Sequence, residues 1–381
     1  MALSEGNGAS QGGQVPLRPN GSPPTHNTSL TTVTLLTTTS LLRTSRALAK
    51  VSVSVSRPTQ FQHRFMATAT SKEDYVKDPG DTKTLANTKM NDSSIYGADD
   101  SQKYETTPMW VHPIYTKEQM ENLVVRHREA KTFSDKCALA AIRTMRWSFD
   151  LFTGYRHPKP GQENLKRFEM TPDKWYQRFL FLESIAGVPG MVGGMCRHLQ
   201  SLRALKRDRA WIETLLEEAY NERMHLLTFL KMHKPGYFMR TMILLGQGVF
   251  FNLFFMAYLM SPRICHRFVG YLEEEAVITY TRCITDIDAG RLPEWEGHKV
   301  KIPEIAIDYW HMGPNPTMRD LIEYIRADEA KHCEVNHTLG NLDQDHDRNP
   351  FALKIDNGHP QPSKDLSTYK GQGWSRDEIA N

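Results

Sequence analysis

No cysteine pair of the CxxC type occurs in this chain of 381 residues, and its five cysteines, Cys137, Cys196, Cys265, Cys283 and Cys333, lie far apart. That spacing excludes a disulfide scaffold and a thiolate zinc site and fits isolated thiols in a reducing compartment. A charge excess is missing too. Lys and Arg number 47 against 44 Asp and Glu, a formal net charge of +3 with the basic residues scattered, so no nucleic-acid partner is expected. Hydrophobic residues are sparse at 39%, so part of the chain has no packed core to join. The shortage is local. Residues 1–100 and 344–381 are rich in Ser, Thr, Gly, Pro, Asn and Asp, whereas 116–343 holds nearly all the long apolar runs. The expected organisation is one folded domain over 116–343, an extended arm over 66–115 and a poorly ordered C-terminal tail over 344–381.

Acids are absent from residues 6–72, a run of 67 positions, while Arg18, Arg43, Arg46, Lys50, Arg57, Arg64 and Lys72 are basic. Ser and Thr fill much of the remainder, and Leu35, Leu41, Leu42 and Leu48 can form one face of a short basic helix. This is the composition of a mitochondrial transit peptide, assigned to 1–65. The apolar h-region of a secretory signal is missing, so the sequon at Asn27 carries no weight.

Strand-like alternation is rare, and 116–343 reads as helical almost throughout. After Ser134, the positions Leu139, Ile142, Met145, Phe149 and Phe152 recur at spacings of three and four, accompanied by Lys136, Arg143 and Arg146. That helix suits either the core or a membrane interface. Further helices are expected over 175–205, 211–232, 237–262, 263–287 and 317–342, with a Pro- and Gly-punctuated connection over 289–316. Residues 241–262 carry no charge over 22 positions, long enough to cross a bilayer when taken alone.

Two helices carry Glu-x-x-His, as Glu222 with His225 and Glu329 with His332. At i and i+3 both side chains share one face. Either pair alone is an ordinary polar patch, but both lie on largely apolar helices. Glu183 sits in RFLFLESIAGVPG with no charge near it after Arg178, and a buried carboxylate without a partner is costly. Glu273, Glu274 and Glu275 are consecutive, so at most one or two can face inward. The order Glu, Glu-x-x-His, Glu, Glu-x-x-His on four helices is that of ferritin-like di-iron carboxylate bundles. Hard carboxylates with two imidazoles suit iron or manganese. All six ligands must meet, so 241–262 is expected to lie on one leaflet or pack into the bundle rather than cross.

The blocks LESIAGVPGMVGGM, LLEEAYNERMHL, VGYLEEEAVITYT and RADEAKHCEVNH, with AIDYW between the last two, resemble the signature blocks of the mitochondrial alternative oxidase family. The resemblance runs through most of 115–343, and the two ends look more like fungal members. It implies an all-α di-iron bundle with two additional membrane-facing helices. The implied activity is oxidation of ubiquinol with reduction of O₂ to water, without proton pumping and insensitive to cyanide. Two iron ions per chain would be held by Glu183, Glu222, His225, Glu273, Glu329 and His332. The resemblance selects Glu273 from the triplet and places Tyr280 near the irons, either as a radical electron donor or as a buried phenol bonded to a carboxylate. Arg178, Leu182 and Leu272 are implied around the quinol, together with Glu275, Ala276 and Thr279. Arg178 can orient a quinone oxygen or serve in a salt bridge, and Glu275 can take a proton or remain a solvated acid. Asn221, Asp328, Tyr309 and Trp310 match positions that orient the imidazoles. No cysteine precedes Cys137 in the arm, which puts thiol-based activation by 2-oxo acids in doubt.

Other readings share the ligand order: ferritin-like iron storage, a ribonucleotide reductase small subunit, a quinone-intermediate hydroxylase and a plastid-type quinol oxidase. A non-enzymatic membrane-spanning protein stands outside that chemistry. An uncharged helix argues against a storage cage, and a plastid enzyme needs plastid targeting. The expected location is the matrix side of the mitochondrial inner membrane, attached to one leaflet. Leu199, Leu202 and Leu205, spaced three apart within 198–209, suggest a homodimer contact.

Overall fold

The helices follow in the order α1 (Lys117–Glu121), α2 (Phe133–Thr153), α3 (Pro172–Ala204), α4 (Trp211–Met232), α5 (Tyr237–Met260), α6 (Pro262–Asp288), α7 (Glu304–Trp310), α8 (Met318–Leu339) and α9 (Arg376–Ile379). The computed structural model describes residues 109–379 except 125, 157, 159–165, 356, 357 and 359. It also describes two two-residue strands, Met90–Asn91 and Glu105–Thr106, paired antiparallel. All of these belong to one unit, Tyr75–Asn381. The expected transit segment and most of the arm lie outside the described residues.

Caps explain where the long helices start. Thr132, Thr171, Ser261 and Thr317 each accept a hydrogen bond from the backbone N–H three residues on, opening α2, α3, α6 and α8. At α4 the preceding residue is Ala210, in the left-handed region with φ of 63° and without a capping side chain. Asp208 replaces it, accepting from Ile212 N at 2.7 Å.

Four of these helices make the bundle. α3 packs along α4, and α6 packs along α8. The core between them is aromatic: Phe179 stacks on Phe229 and on Tyr280, each at 4.8 Å between centroids, and Trp175 and Trp310 are fully enclosed. α5 lies against α3 and α6, and α2 lies against α6. Both α3 and α5 are long and apolar enough to cross a membrane, but α3 is largely inside the bundle. On α5 only Phe254 and Tyr258 are buried, while Leu244, Leu245, Val249, Leu253, Met256, Leu259 and Met260 face outward. The connection over 289–316 contains α7, which carries Tyr309 and Trp310 into the core.

The C-terminal tail differs from expectation. Rather than being poorly ordered, it wraps α4 and α8. Phe351, Trp374 and Ile379 join Trp211, Leu215, Val335 and Leu339 in one buried cluster. The Trp374 indole donates to Glu334 Oε1 at 2.7 Å, and Asn349 Nδ2 donates to Thr214 Oγ1 at 2.6 Å. A polar, turn-rich composition here encodes a loop fastened by a few apolar anchors. Replacing Trp374 by Ala should therefore destabilise the fold by about 3–5 kcal/mol, as for other large buried aromatics. Thermal unfolding checks this, and an unchanged midpoint would make the tail a loose appendage.

Candidate metal centre

Close helix approach brings the acids together. A Cβ added at Gly190 would lie 2.4 Å from Leu215 O, so α3 and α4 meet at a separation only glycine permits. One turn earlier, the Cβ position of Gly187 is 3.6 Å from Glu222 Cβ. Glu183 on α3 thereby reaches Glu222 and His225 on α4. Gln247, one of the few polar residues of α5, donates to Ser184 O at 2.7 Å and ties that helix on beside Glu183.

The six expected ligands converge in two overlapping groups. Glu183, Glu222, His225 and Glu329 form one, and Glu222, Glu273, Glu329 and His332 form the other, with the ligand atoms of each within 4.8 Å of one another. Glu222 and Glu329 belong to both. His225 Nδ1 lies 3.2 Å from Glu183, 3.5 Å from Glu222 and 3.4 Å from Glu329. His332 Nδ1 lies 2.7 Å from Glu222 Oε1, yet neither atom has hydrogen-bonding alignment. Both oxygens of Glu222, Glu329 Oε2 and His332 Nδ1 are buried without a hydrogen-bond partner. Such orphans cost about 1–3 kcal/mol each. Atoms that point together without bonding fit a donor set for divalent cations.

The electrostatics agree. Burial, then the charge of Glu329, pushes the Glu183 carboxyl up to about 8, and burial with the same neighbour holds Glu273 well above the usual range. Burial opposes charging of Glu222, but His225 and His332 outweigh it and draw its pKa down. Without a metal the imidazoles serve as the cations, and a metal would displace their protons.

Asp328 orients His225. It accepts from His225 Nε2 at 3.1 Å, Asn221 Nδ2 at 3.0 Å and Trp310 Nε1 at 2.8 Å, and Asn221 also donates to Tyr309 at 3.0 Å. All four residues expected to orient the imidazoles thus converge on one of them. A fifth, His112 in the arm, places Nε2 2.7 Å from Asp328 Oδ1. An isolated histidine outside any helix gave no sequence signal.

The residues expected around a quinol lie beside this cluster. Arg178 is buried, bonded to Asp150 Oδ1 at 3.0 Å and stacked 3.7 Å above the Tyr155 ring, with Nε and Nη1 unbonded. Asp150 pairs with Arg146 at 3.1 Å, and Arg146 pairs with Glu275. Thr279 Oγ1 donates to Glu275 O at 2.8 Å. Leu182, Leu272 and Ala276 are half-buried. The Tyr280 hydroxyl donates a hydrogen bond to Glu183. Arg146 and Asp150 were missed as site residues. An acid one turn after an arginine on an apolar helix was the available clue. Of the glutamate triplet, Glu273 enters the cluster. Glu274 instead bonds His337 at 2.8 Å and His127 at 2.6 Å. Glu274, Cys333 and His337 also lie close together, but Arg267 Nη1 sits 2.9 Å from His337 Nδ1 and its charge opposes a cation.

A model of the alternative oxidase family matches residues 115–341. The chain belongs to the alternative oxidase family. Proteins named mitochondrial alternative oxidase are similar to it in Yarrowia lipolytica, with 66% identity over 299 residues, 78% of this chain and 84% of the relative. Those of Emericella nidulans and Aspergillus niger are each 62% identical over 277 residues, 72% of this chain and 78% of the relative. The helical architecture is that of the family's di-iron bundle, and the chain is an oxidase.

Glu222 is common to both ligand groups, so Glu222→Ala should remove the bound iron and abolish O₂ consumption while helicity largely survives. Iron analysis and circular dichroism check this. Two irons per chain retained in the variant would take Glu222 out of the site.

Proposed function

We propose that the chain is a cyanide-insensitive ubiquinol oxidase that reduces O₂ to water at two irons and pumps no protons. The observation that carries this is the pair of ligand groups sharing Glu222 and Glu329, with the Tyr280 phenol bonded to Glu183. Glu183, Glu222, His225, Glu273, Glu329 and His332 hold the metals. Bound iron supplies the redox chemistry with O₂. Asp328 keeps the His225 ring in one orientation. Arg178, with two N–H groups free, orients a quinol oxygen. Leu182, Leu272 and Ala276 flank the ring, and Thr279 completes the polar edge. Glu275 receives a quinol proton while paired with Arg146. Tyr280 stands between the quinol residues and the ligands, where it can pass an electron. The sequence carries no CxxCH haem attachment and no Cys/His/Met copper cluster, so ligands that poison haem have no target. The purified chain should consume O₂ with ubiquinol in the presence of cyanide and stop when a hydroxamate competes at the quinol site. Arg178→Ala should raise the quinol KM or lower kcat with iron content unchanged. Loss of iron would make Arg178 structural instead.

The same reading places the enzyme on the matrix side of the mitochondrial inner membrane, delivered by a transit peptide over 1–65. The arm over 66–115 and the oxidase domain over 116–343 follow it. The exposed apolar faces of α2 and α5 dip into one leaflet, driven by apolar burial at roughly 25 cal/mol per Å². Lys136, Arg143, Arg240 and Arg263 are exposed, where anionic headgroups contribute about 1 kcal/mol each. Arg146, also expected among these, is turned inward to Asp150 and Glu275. Leu199, Leu202 and Leu205 are exposed and form the homodimer contact. Protease added to intact mitoplasts should leave both ends of the mature chain uncut. Cleavage of one end only would show a crossing helix.

A further inference from the structure

Glu274, the middle acid of the triplet on α6, stands outside the two ligand groups, yet it is buried. A buried carboxylate is costly unless its oxygens are bonded, and this one accepts three hydrogen bonds. Oε1 accepts from His337 Nε2 on α8 at 2.8 Å and from the Arg128 backbone N–H at 2.9 Å, and Oε2 accepts from His127 Nδ1 at 2.6 Å. His127 and Arg128 belong to the segment between α1 and α2.

The contact with α8 has a fixed direction. Arg267 Nη1 lies 2.9 Å from His337 Nδ1. A guanidinium can only donate, so Nδ1 accepts and the ring proton sits on Nε2, aimed at Glu274. Burial pushes the His337 pKa down to about 4, which keeps the ring neutral. Between Arg267 and Glu274, a Cβ added at Gly270 would come 2.4 Å from His337 Nδ1. These three residues are spaced three and four apart and so share one face of α6, and His337 meets all of them. Arg267 also donates to Asp135 Oδ1 on α2 at 2.9 Å and to Asn341 Oδ1 at 2.6 Å, which takes a further bond from Arg128 Nη2 at 2.9 Å.

Neighbouring residues on a helix point about 100° apart, so a bond that fixes Glu274 also fixes the direction of Glu273. Groups in a functional site must be held to roughly 0.5 Å, and a small rotation of α6 would carry the Glu273 carboxylate out of its group. We propose that Glu274 is a positioning residue for the metal centre: bonded to α8 and to the segment before α2, it sets the rotation of α6 that brings Glu273 to Glu222, Glu329 and His332. The inference rests on the reading that Glu273 holds a metal.

The test follows iron release from the full iron-loaded chain into a bipyridyl chelator, together with the electron paramagnetic resonance spectrum of the half-reduced iron pair. Glu274→Leu keeps much of the bulk and removes the acceptor, so it should release iron roughly tenfold faster and shift that spectrum. Glu274→Gln keeps an oxygen for His337 and Arg128 and should return both readouts close to those of the unaltered chain. A merely structural role would lower the melting temperature of Glu274→Leu and leave the spectrum unmoved. A folded Glu274→Leu chain with unaltered release and spectrum overturns the proposal, and so does Glu274→Gln if it is equally impaired. Should Glu274→Leu fail to fold, His127→Ala carries the test, because that ring is half exposed and its loss removes a single contact to Glu274. Iron release should then quicken and the spectrum shift, and no change in either overturns the proposal. Glu273→Ala separates the underlying reading, since iron retained in full there would take Glu273 out of the site whatever Glu274 does.

Discussion

Four buried glutamates repel one another, and the bundle is organised around relieving that repulsion. Each carboxylate comes from a different helix, so no single helix has to concentrate the charge. The two imidazoles sit among the four acids, with His225 Nδ1 within 3.5 Å of three of them. Asp328 is a further buried acid beside them, and it stays charged for a different reason. Burial opposes its ionisation, but His112 and His225 hold its pKa well below the usual carboxylate range. Its charge in turn keeps a proton on His225 Nε2 and leaves Nδ1 facing the cluster. The orientation of one imidazole thus depends on residues from the arm, α4, α7 and α8.

Around this charged centre the two sides of the molecule differ. On one side Phe149, Phe181 and the Gly246 position of α5 meet, with Phe149 stacked on Phe181 at 5.0 Å and a Gly246 Cβ 3.1 Å from the Phe181 ring. There the polar contacts run in a line: Glu275, Arg146, Asp150, Arg178. On the other side residues of the arm, α4, α7, α8 and the tail enclose a small void. The clustered glutamates and histidines lie between these two regions.

Much of this was legible in the sequence because it follows from local rules. Apolar spacing located the long helices to within a few residues, although α2 is capped by Thr132 rather than opening at Ser134, and Glu-x-x-His puts two Glu/His pairs on shared faces by helical spacing alone. The lone Glu183 in an apolar run pointed to a cation. What stayed hidden depends on contacts distant in sequence. His112 matters only because Asp328, 216 residues away, accepts a hydrogen bond from its ring. Arg146 looked like a headgroup contact because its inward partner, Glu275, lies 129 residues later. The tail looked disordered because its composition is polar throughout, and the few anchors that seat it, Phe351, Leu366 and Trp374, form no periodic pattern.

The inward turn of Arg146 also bears on how α5 meets its surroundings. With that charge spent inside, the proposed attachment to a lipid leaflet depends more on apolar area than on headgroup pairing. α5 is suited to this because its central polar side chains make no demand on water. Thr241 donates to Tyr237 O at 3.0 Å, Asn252 donates to Gly248 O at 2.8 Å, and Gln247 donates to Ser184 O. An outward face with its hydrogen bonds closed onto backbone can enter hydrocarbon without stranding a polar group. The amide of Gln247 serves twice, since the contact that removes it from the lipid side also fastens α5 to the helix carrying Glu183. These polar side chains of α5 are therefore closed onto backbone, one of them fixing the helix to the bundle.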